Sequence, residues 1–215
     1  MRARLVGGVI AAATAALVAA GCSDPGTAPP AGGPAPAPSP ASAAAAPISP
    51  EHSQADVLFV QGMIPHHQQA IAMSSQATDR ASSPEVKDLA ARIGQAQAPE
   101  IERMNQMLDA WGAPRPQRGA TAMPGMPGMP GMPMGDMPMH GMMSDAQMHQ
   151  LAAQAGASFD RMFLQMMIEH HTGAVEMAQA EQVRGLNPQA EELAGAIVAA
   201  QQWEIAEMQG LLSRV

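Results

Sequence analysis

Two stretches decide the fold: "LFVQGMIPHHQQAIAM", Leu58–Met73, and "MFLQMMIEHHTGAVEM", Met162–Met177. Each is an apolar run interrupted by two adjacent histidines, and the second follows the first at an offset of 104 residues. Phe59, Met63, His66, Ala70 and Met73 recur every three or four residues, and Val60, Ile64, His67 and Ile71 form a second stripe beside them. That spacing predicts a helix whose apolar face has the width of a bundle helix rather than of a coiled-coil seam. The histidines fall on this face. An imidazole taken out of water without partners costs roughly 1–3 kcal/mol, so each pair needs a reason to be there.

The offset continues beyond the histidines. Asp56, Phe59, Met63, Ala70 and Met73 are matched by Asp160, Phe163, Met167, Ala174 and Met177. Beyond a turn, Pro84, Leu89, Ile93, Gln97, Glu100, Ile101 and Met104 are matched by Pro188, Leu193, Ile197, Gln201, Glu204, Ile205 and Met208. A register held without a gap through a loop predicts a duplicated helical hairpin. In "SSPEVKDLAARI", Ser83 suits an N-cap, Pro84 the first helical position, and Glu85 and Asp88 the positive end of the helix dipole. Helices are expected over about 54–80, 84–111, 145–183 and 188–213, with a Met/Pro/Gly linker over 112–144. Two apolar hairpin faces cover one another most simply as an all-α four-helix bundle. The long crossover suits a ferritin-like topology, and an up-and-down bundle stays open. Strands are disfavoured, because the chain has no tyrosine and no alternating segment of useful length.

The N-terminal region has a different character. Arg2 and Arg4 precede an apolar run from Leu5 to Ala20 that closes in "VAAGC". This reads as an export signal over residues 1–21, too short for a mature membrane span. Small residues closing on Cys22, the only cysteine, resemble a lipoprotein cleavage site, which implies a lipid-anchored chain on the outer face of a membrane. An ordinary cleaved signal peptide beside a free thiol is the plainer alternative. Residues 22–52 are rich in Pro, Ala, Gly and Ser and read as a spacer, so the folded part is expected over 53–215. The net charge of -8 does not suit nucleic acid or anionic bilayers, but it does suit cations. The sequence shows no phosphate loop and no organic-cofactor motif.

The polar residues on the apolar faces are the candidate site. His66, His67, His170 and His171 lie with Met63, Met73, Met167 and Met177 on the first helix of each hairpin, and Glu100, Met104, Glu204 and Met208 on the second. Positions three or four apart share a helix face, so Met63 with His67 and Glu100 with Met104 converge, as do their repeats. One reading is mutual satisfaction, in which glutamates accept imidazole N–H groups and fix helix register. The other is metal binding. Thioether sulfur is soft and favours Cu(I), and by the same softness Ag(I), while the carboxylates orient the imidazoles or ligate a harder ion. Glu169, where the first repeat has Pro65, offers a further acidic group near the second pair.

The linker "TAMPGMPGMPGMPMGDMPMHGMMSDAQMH" packs ten methionines between Met123 and Met148 into a segment whose Pro and Gly oppose a helix. Met123, Met126, Met129, Met132, Met134, Met137, Met139, Met142 and Met143, with His140, therefore read as a flexible multivalent trap for Cu(I). Low-complexity drift and oxidant scavenging are its plainer alternatives.

"MIPHHQQAIAM" with "APEIERM", and "MIEHHTGAVEM" with "QQWEIAEM", resemble the two halves of the family called domain of unknown function 305. The resemblance covers about 53–212 and implies exported bacterial proteins or lipoproteins grouped with ferritin-like bundles, some of them periplasmic copper-binding proteins. Its motif positions are the four histidines, the flanking methionines and the Glu-Ile-x-x-Met residues named above. The Glu-x-x-His pairs of ferritin-like di-iron enzymes are missing. The sequence thus favours non-enzymatic binding of Cu(I), and of Ag(I), outside the cytoplasm. A structural envelope lipoprotein with a packing-only polar cluster is the main alternative, and a metal-dependent oxidase is a more distant one.

Overall fold

The computed structural model describes residues 47–116 and 140–215. These form five helices: α1 (Gln54–Arg80), α2 (Pro84–Trp111), α3 (Asp145–Ala152), α4 (Ala157–Arg184) and α5 (Pro188–Leu212). Each start has a local cause. Ser53 caps α1 and exchanges hydrogen bonds with Asp56 in a capping box. Ser83 and Asn187 cap α2 and α5, each followed by a proline that has no N–H to leave unpaired. Pro65 lies inside α1 and removes one backbone donor without ending the helix.

The expected four-helix, ferritin-like bundle is corrected by this arrangement. The segment expected as one helix over 145–183 is two, because α3 ends at Ala152 and α4 begins at Ala157. Gly156 takes φ 64° and ψ -145°, a region essentially reserved for glycine, and its N–H donates to the Arg80 carbonyl at 2.8 Å. The break therefore ties the start of α4 to the end of α1. The short α3 belongs to the connection, and the repeated units are the hairpins α1–α2 and α4–α5.

The two hairpins interlock through a pair of buried aspartates at equivalent positions. Asp56, in the first turn of α1, accepts N–H groups of Leu186 and Asn187 in the α4–α5 turn. Asp160, in the first turn of α4, accepts N–H groups of Ser82 and Ser83 in the α1–α2 turn. Each carboxylate thus caps the opposite hairpin's second helix, and neither is more than 1% exposed.

Packing follows the same symmetry. One apolar cluster contains Phe59, Val60, Met63 and Met104 with Ala190, Leu193, Ala194 and Ile197. The other contains their repeats, Phe163, Leu164, Met167 and Met208, with Val86, Leu89, Ala90 and Ile93. Each cluster joins the start of one hairpin's first helix to the start of the other's second helix. No described helix is long and apolar enough to cross a membrane.

Candidate metal centre

The histidines are buried: His66, His67 and His171 are inaccessible and His170 is 1% exposed. The His67 Nε2–H donates to Glu100 Oε2 at 2.7 Å, and the His171 Nε2–H donates to Glu204 Oε2 at 2.8 Å. A carboxylate only accepts, so these contacts place a proton on Nε2 in both rings. The Nδ1 atoms of His67 and His171 are buried with no hydrogen-bond partner. His66 donates its Nε2–H to the His140 carbonyl at 3.1 Å, again leaving Nδ1 unpaired. In His170 both ring nitrogens are buried and unpaired.

The two histidine pairs meet. The rings of His66 and His170 lie 3.8 Å apart between centroids, and those of His170 and His171 lie 6.2 Å apart. Burial lowers the His66 pKa to about 3, with His67 and His171 adding to the effect and the His140 carbonyl opposing it. His170 is pushed far below the ordinary imidazole range by burial, then by His66, His171 and His67, with a weak backbone contact to His66 opposing. Both rings are therefore neutral at pH 7, which is the protonation state that a metal ligand needs.

Gln97 and Gln201 share faces with the glutamates and are 2% and 3% exposed, and both Gln97 amide atoms and Gln201 Oε1 are unpaired. Orphaned polar atoms at this density are unusual in a folded interior. They are the features of this layer that a bound ligand would satisfy.

The other expected donors are distributed less tightly. Met63 and Met104 lie in one apolar cluster with Met177 packed against it, whereas Met73, Met167 and Met208 lie in the other. The thioethers are thus split between the two apolar clusters. Among the described residues, no group of three or more His, Cys, Asp or Glu side chains is arranged to hold a metal ion. Glu169 is exposed on α4 and does not join the layer. Met143 is buried, Met142 is half-buried and His140 is exposed beside Glu176. Met123, Met126, Met129, Met132, Met134, Met137 and Met139 lie outside the described residues, as does Cys22.

Sequence reasoning missed the roles of three groups. Asp56 and Asp160 were visible as repeated positions, but their partners lie across the fold. Glu181 is 2% exposed, and its pKa is raised to about 8 by burial and by its contact with Asp56. Its repeat position is Ala77, so no internal symmetry marks it. Gln69 holds the segment entering α3, a contact that helix periodicity does not encode.

Comparisons with known proteins place the chain in a family. Residues 56–212 match the family described as domain of unknown function (DUF305), and the chain belongs to that family. A DUF305 fragment from Deinococcus radiodurans is 34% identical, with 76% of this chain and 98% of that one covered and a TM-score of 0.63. A DUF305 protein from Streptomyces coelicolor, described as a candidate secreted protein, is 36% identical over 74% of this chain and 93% of its own, at a TM-score of 0.64. CopM in its Cu(I)-bound form is 29% identical over 74% of this chain and 96% of that one, at a TM-score of 0.58. CopM has also been solved in Cu(II)-bound, Ag-bound and apo forms. None of these relatives is described as ferritin-like, which completes the correction begun by the helix count. Protein L153 of Acanthamoeba polyphaga mimivirus is 44% identical over 54 residues, a match that spans 25% of this chain and 36% of L153.

Proposed function

We propose that this protein is a non-enzymatic, extracytoplasmic binder of soft monovalent metal, Cu(I) foremost and Ag(I) by the same chemistry. The observation that carries the reading is the buried histidine layer, in which all four rings keep an unpaired Nδ1. Glu100 and Glu204 orient two of these rings from behind, the carboxylate–histidine arrangement that fixes tautomer and raises ligand basicity. A soft monovalent ion accepts few donors and little formal charge, which suits neutral imidazoles with thioethers on adjoining turns. The similarity to CopM, whose copper- and silver-bound forms are known, supports the same assignment.

The methionines of 123–143 supply further thioethers on the chain between the hairpins. Export through residues 1–21 and anchoring at Cys22 would put the binder on the outer face of a membrane, where it sequesters or buffers the ion.

One specific finding favours a packing-only layer, namely the pairing of Glu100 Oε2 and Glu204 Oε2 with His67 and His171. Anaerobic Cu(I) titration against a competing chelator separates the two readings. A native-state ligand at a hundred times its Kd stabilises by about 2.7 kcal/mol, so copper should raise Tm by several degrees. His67→Gln with His171→Gln should remove the tight component, and deletion of 123–139 should remove a weaker, higher-capacity one. A wild-type chain that holds no more Cu(I) than a histidine-free control protein would leave only the packing role.

A further inference from the structure

The segment that leads into α3 crosses the histidine layer as a strap, His140–Met143. It is seated at two points. On α1, Gln69 grips both backbone groups of Met143, accepting its N–H and donating to its carbonyl, each at 2.7 Å. On α4, Gly173 makes room for the His140 carbonyl, since a Cβ there would stand 1.8 Å from that oxygen. Gly141 takes φ 82° and lies so close to α4 that a Cβ would fall 2.6 Å and 2.8 Å from the Glu169 and His170 carbonyl oxygens. The His140 ring is held outside by Glu176 at 3.2 Å.

Gln69 and Gly173 are equivalent positions of the repeat. The duplicated hairpins therefore differ where the strap passes between them: one copy carries a clamp and the other a notch. A single strap cannot treat two equivalent histidines alike, and it does not. His66 gives its Nε2–H to the strap carbonyl, whereas neither nitrogen of its counterpart His170 is bonded to the strap, its only backbone contact being a weak one to His66.

We propose that the His140–Met143 strap is a positioning element of the metal site, with Gln69 and Gly173 as the residues that seat it. By accepting the His66 Nε2–H, the His140 carbonyl fixes that ring in one tautomer and presents its Nδ1 lone pair to the layer. His170, without such a partner, is the ring that adapts to the ion. The two halves of a duplicated site thereby become an oriented donor and an adjustable one. This inference rests on the reading of the layer as a soft-metal site, but its tautomer component can be tested without metal.

The test combines histidine side-chain nitrogen NMR on the metal-free full chain with Cu(I) competition, for wild type, Gln69→Ala and Gly173→Ala. Wild type should show His66 as the Nε2–H tautomer. In both variants that signal should move or exchange while the Nε2–H signals of His67 and His171 stay in place. Outer partners of metal ligands typically contribute about ten- to a hundredfold in affinity, and Cu(I) binding should weaken by that factor. Gln69 is only half-buried, so its variant keeps the test available if Gly173→Ala fails to fold. An Nδ1–H tautomer at His66 in wild type overturns the proposal, as do variants with an unaltered His66 signal and wild-type affinity. If wild type takes up no Cu(I), the metal reading falls, while the His66 signal still decides whether the strap fixes the ring.

Discussion

Replacing Asp160 by alanine tests whether the crossed aspartates hold the hairpins together. Its carboxylate accepts the Ser83 N–H at 2.9 Å, the Ser82 N–H at 3.1 Å and the Ser82 hydroxyl. Hydrogen bonds to a charged acceptor contribute about 1.5–3 kcal/mol each when nothing replaces them. Here water replaces part of the loss, because Ser82 is exposed and Ser83 half-buried. The net cost should be about 2–3 kcal/mol, well below the sum of the bonds. For a domain of this size that lowers Tm by about 5–10 °C. Urea unfolding should show a lower midpoint with an unchanged slope, the mark of lost stability without a change in the states compared. Asp56→Ala should cost more, because the Asn187 N–H that it serves belongs to a fully buried residue that water cannot reach. An Asp160→Ala protein within about 0.5 kcal/mol of wild type, or one more damaged than Asp56→Ala, would refute the reasoning.

Four further outcomes are expected. Glu100→Gln or Glu204→Gln should leave the fold intact and weaken Cu(I) binding by about ten- to a hundredfold, read by chelator competition. Gly156→Ala should lower stability by about 1–3 kcal/mol, as thermal melting will show, because its backbone sits where alanine is strained although the space beside it is open. The folded chain keeps Glu181 protonated to about pH 8 whereas the unfolded chain releases that proton near 4.5, so stability falls as pH rises through this range; since His66 loses stability on the acid side of 6.5, Tm should be followed from pH 6.5 to 8, declining in wild type and flat in Glu181→Gln. A chain lacking 123–139 should bind a single Cu(I) tightly in the histidine layer, and metal analysis giving two would contradict a shared site.

The hairpins and the histidine faces were legible because both depend on local periodicity repeated at a constant offset. The break between α3 and α4 was not. "LAAQAGASFD" is rich in helix formers, and one glycine inside a helix costs only about 1 kcal/mol, so a continuous helix was the natural reading. The repeat did hold a clue, since the offset carries the α1 N-cap Ser53 onto Ala157, which marks where the second unit begins. The convergence of His66 with His170 also lay beyond the sequence. Periodicity put each pair on an inward face, but only packing brings the two faces to 3.8 Å. Glu181 and Gln69 were invisible for a related reason: their roles depend on residues 125 and 74 positions away.

Duplication alone would yield two equivalent sites, and on the proposed metal reading the meeting of the two histidine pairs would merge them into one. On the proposed reading, an ion bound at His66 would lie beside His170, whose ring is 3.8 Å away between centroids. A single ion drawing on both pairs would join α1 to α4, the contact on which the hairpins meet. The departures from symmetry fit this economy. Pro65 against Glu169 and Gln69 against Gly173 both flank the histidines, and the second of these pairs seats the strap. By contrast, the residues that build the layer itself, the four histidines, Gln97 with Gln201 and Glu100 with Glu204, are identical in the two halves. The repeat has kept the buried polar residues and changed their surroundings, which is what a shared ion would require where the strap crosses on one side only.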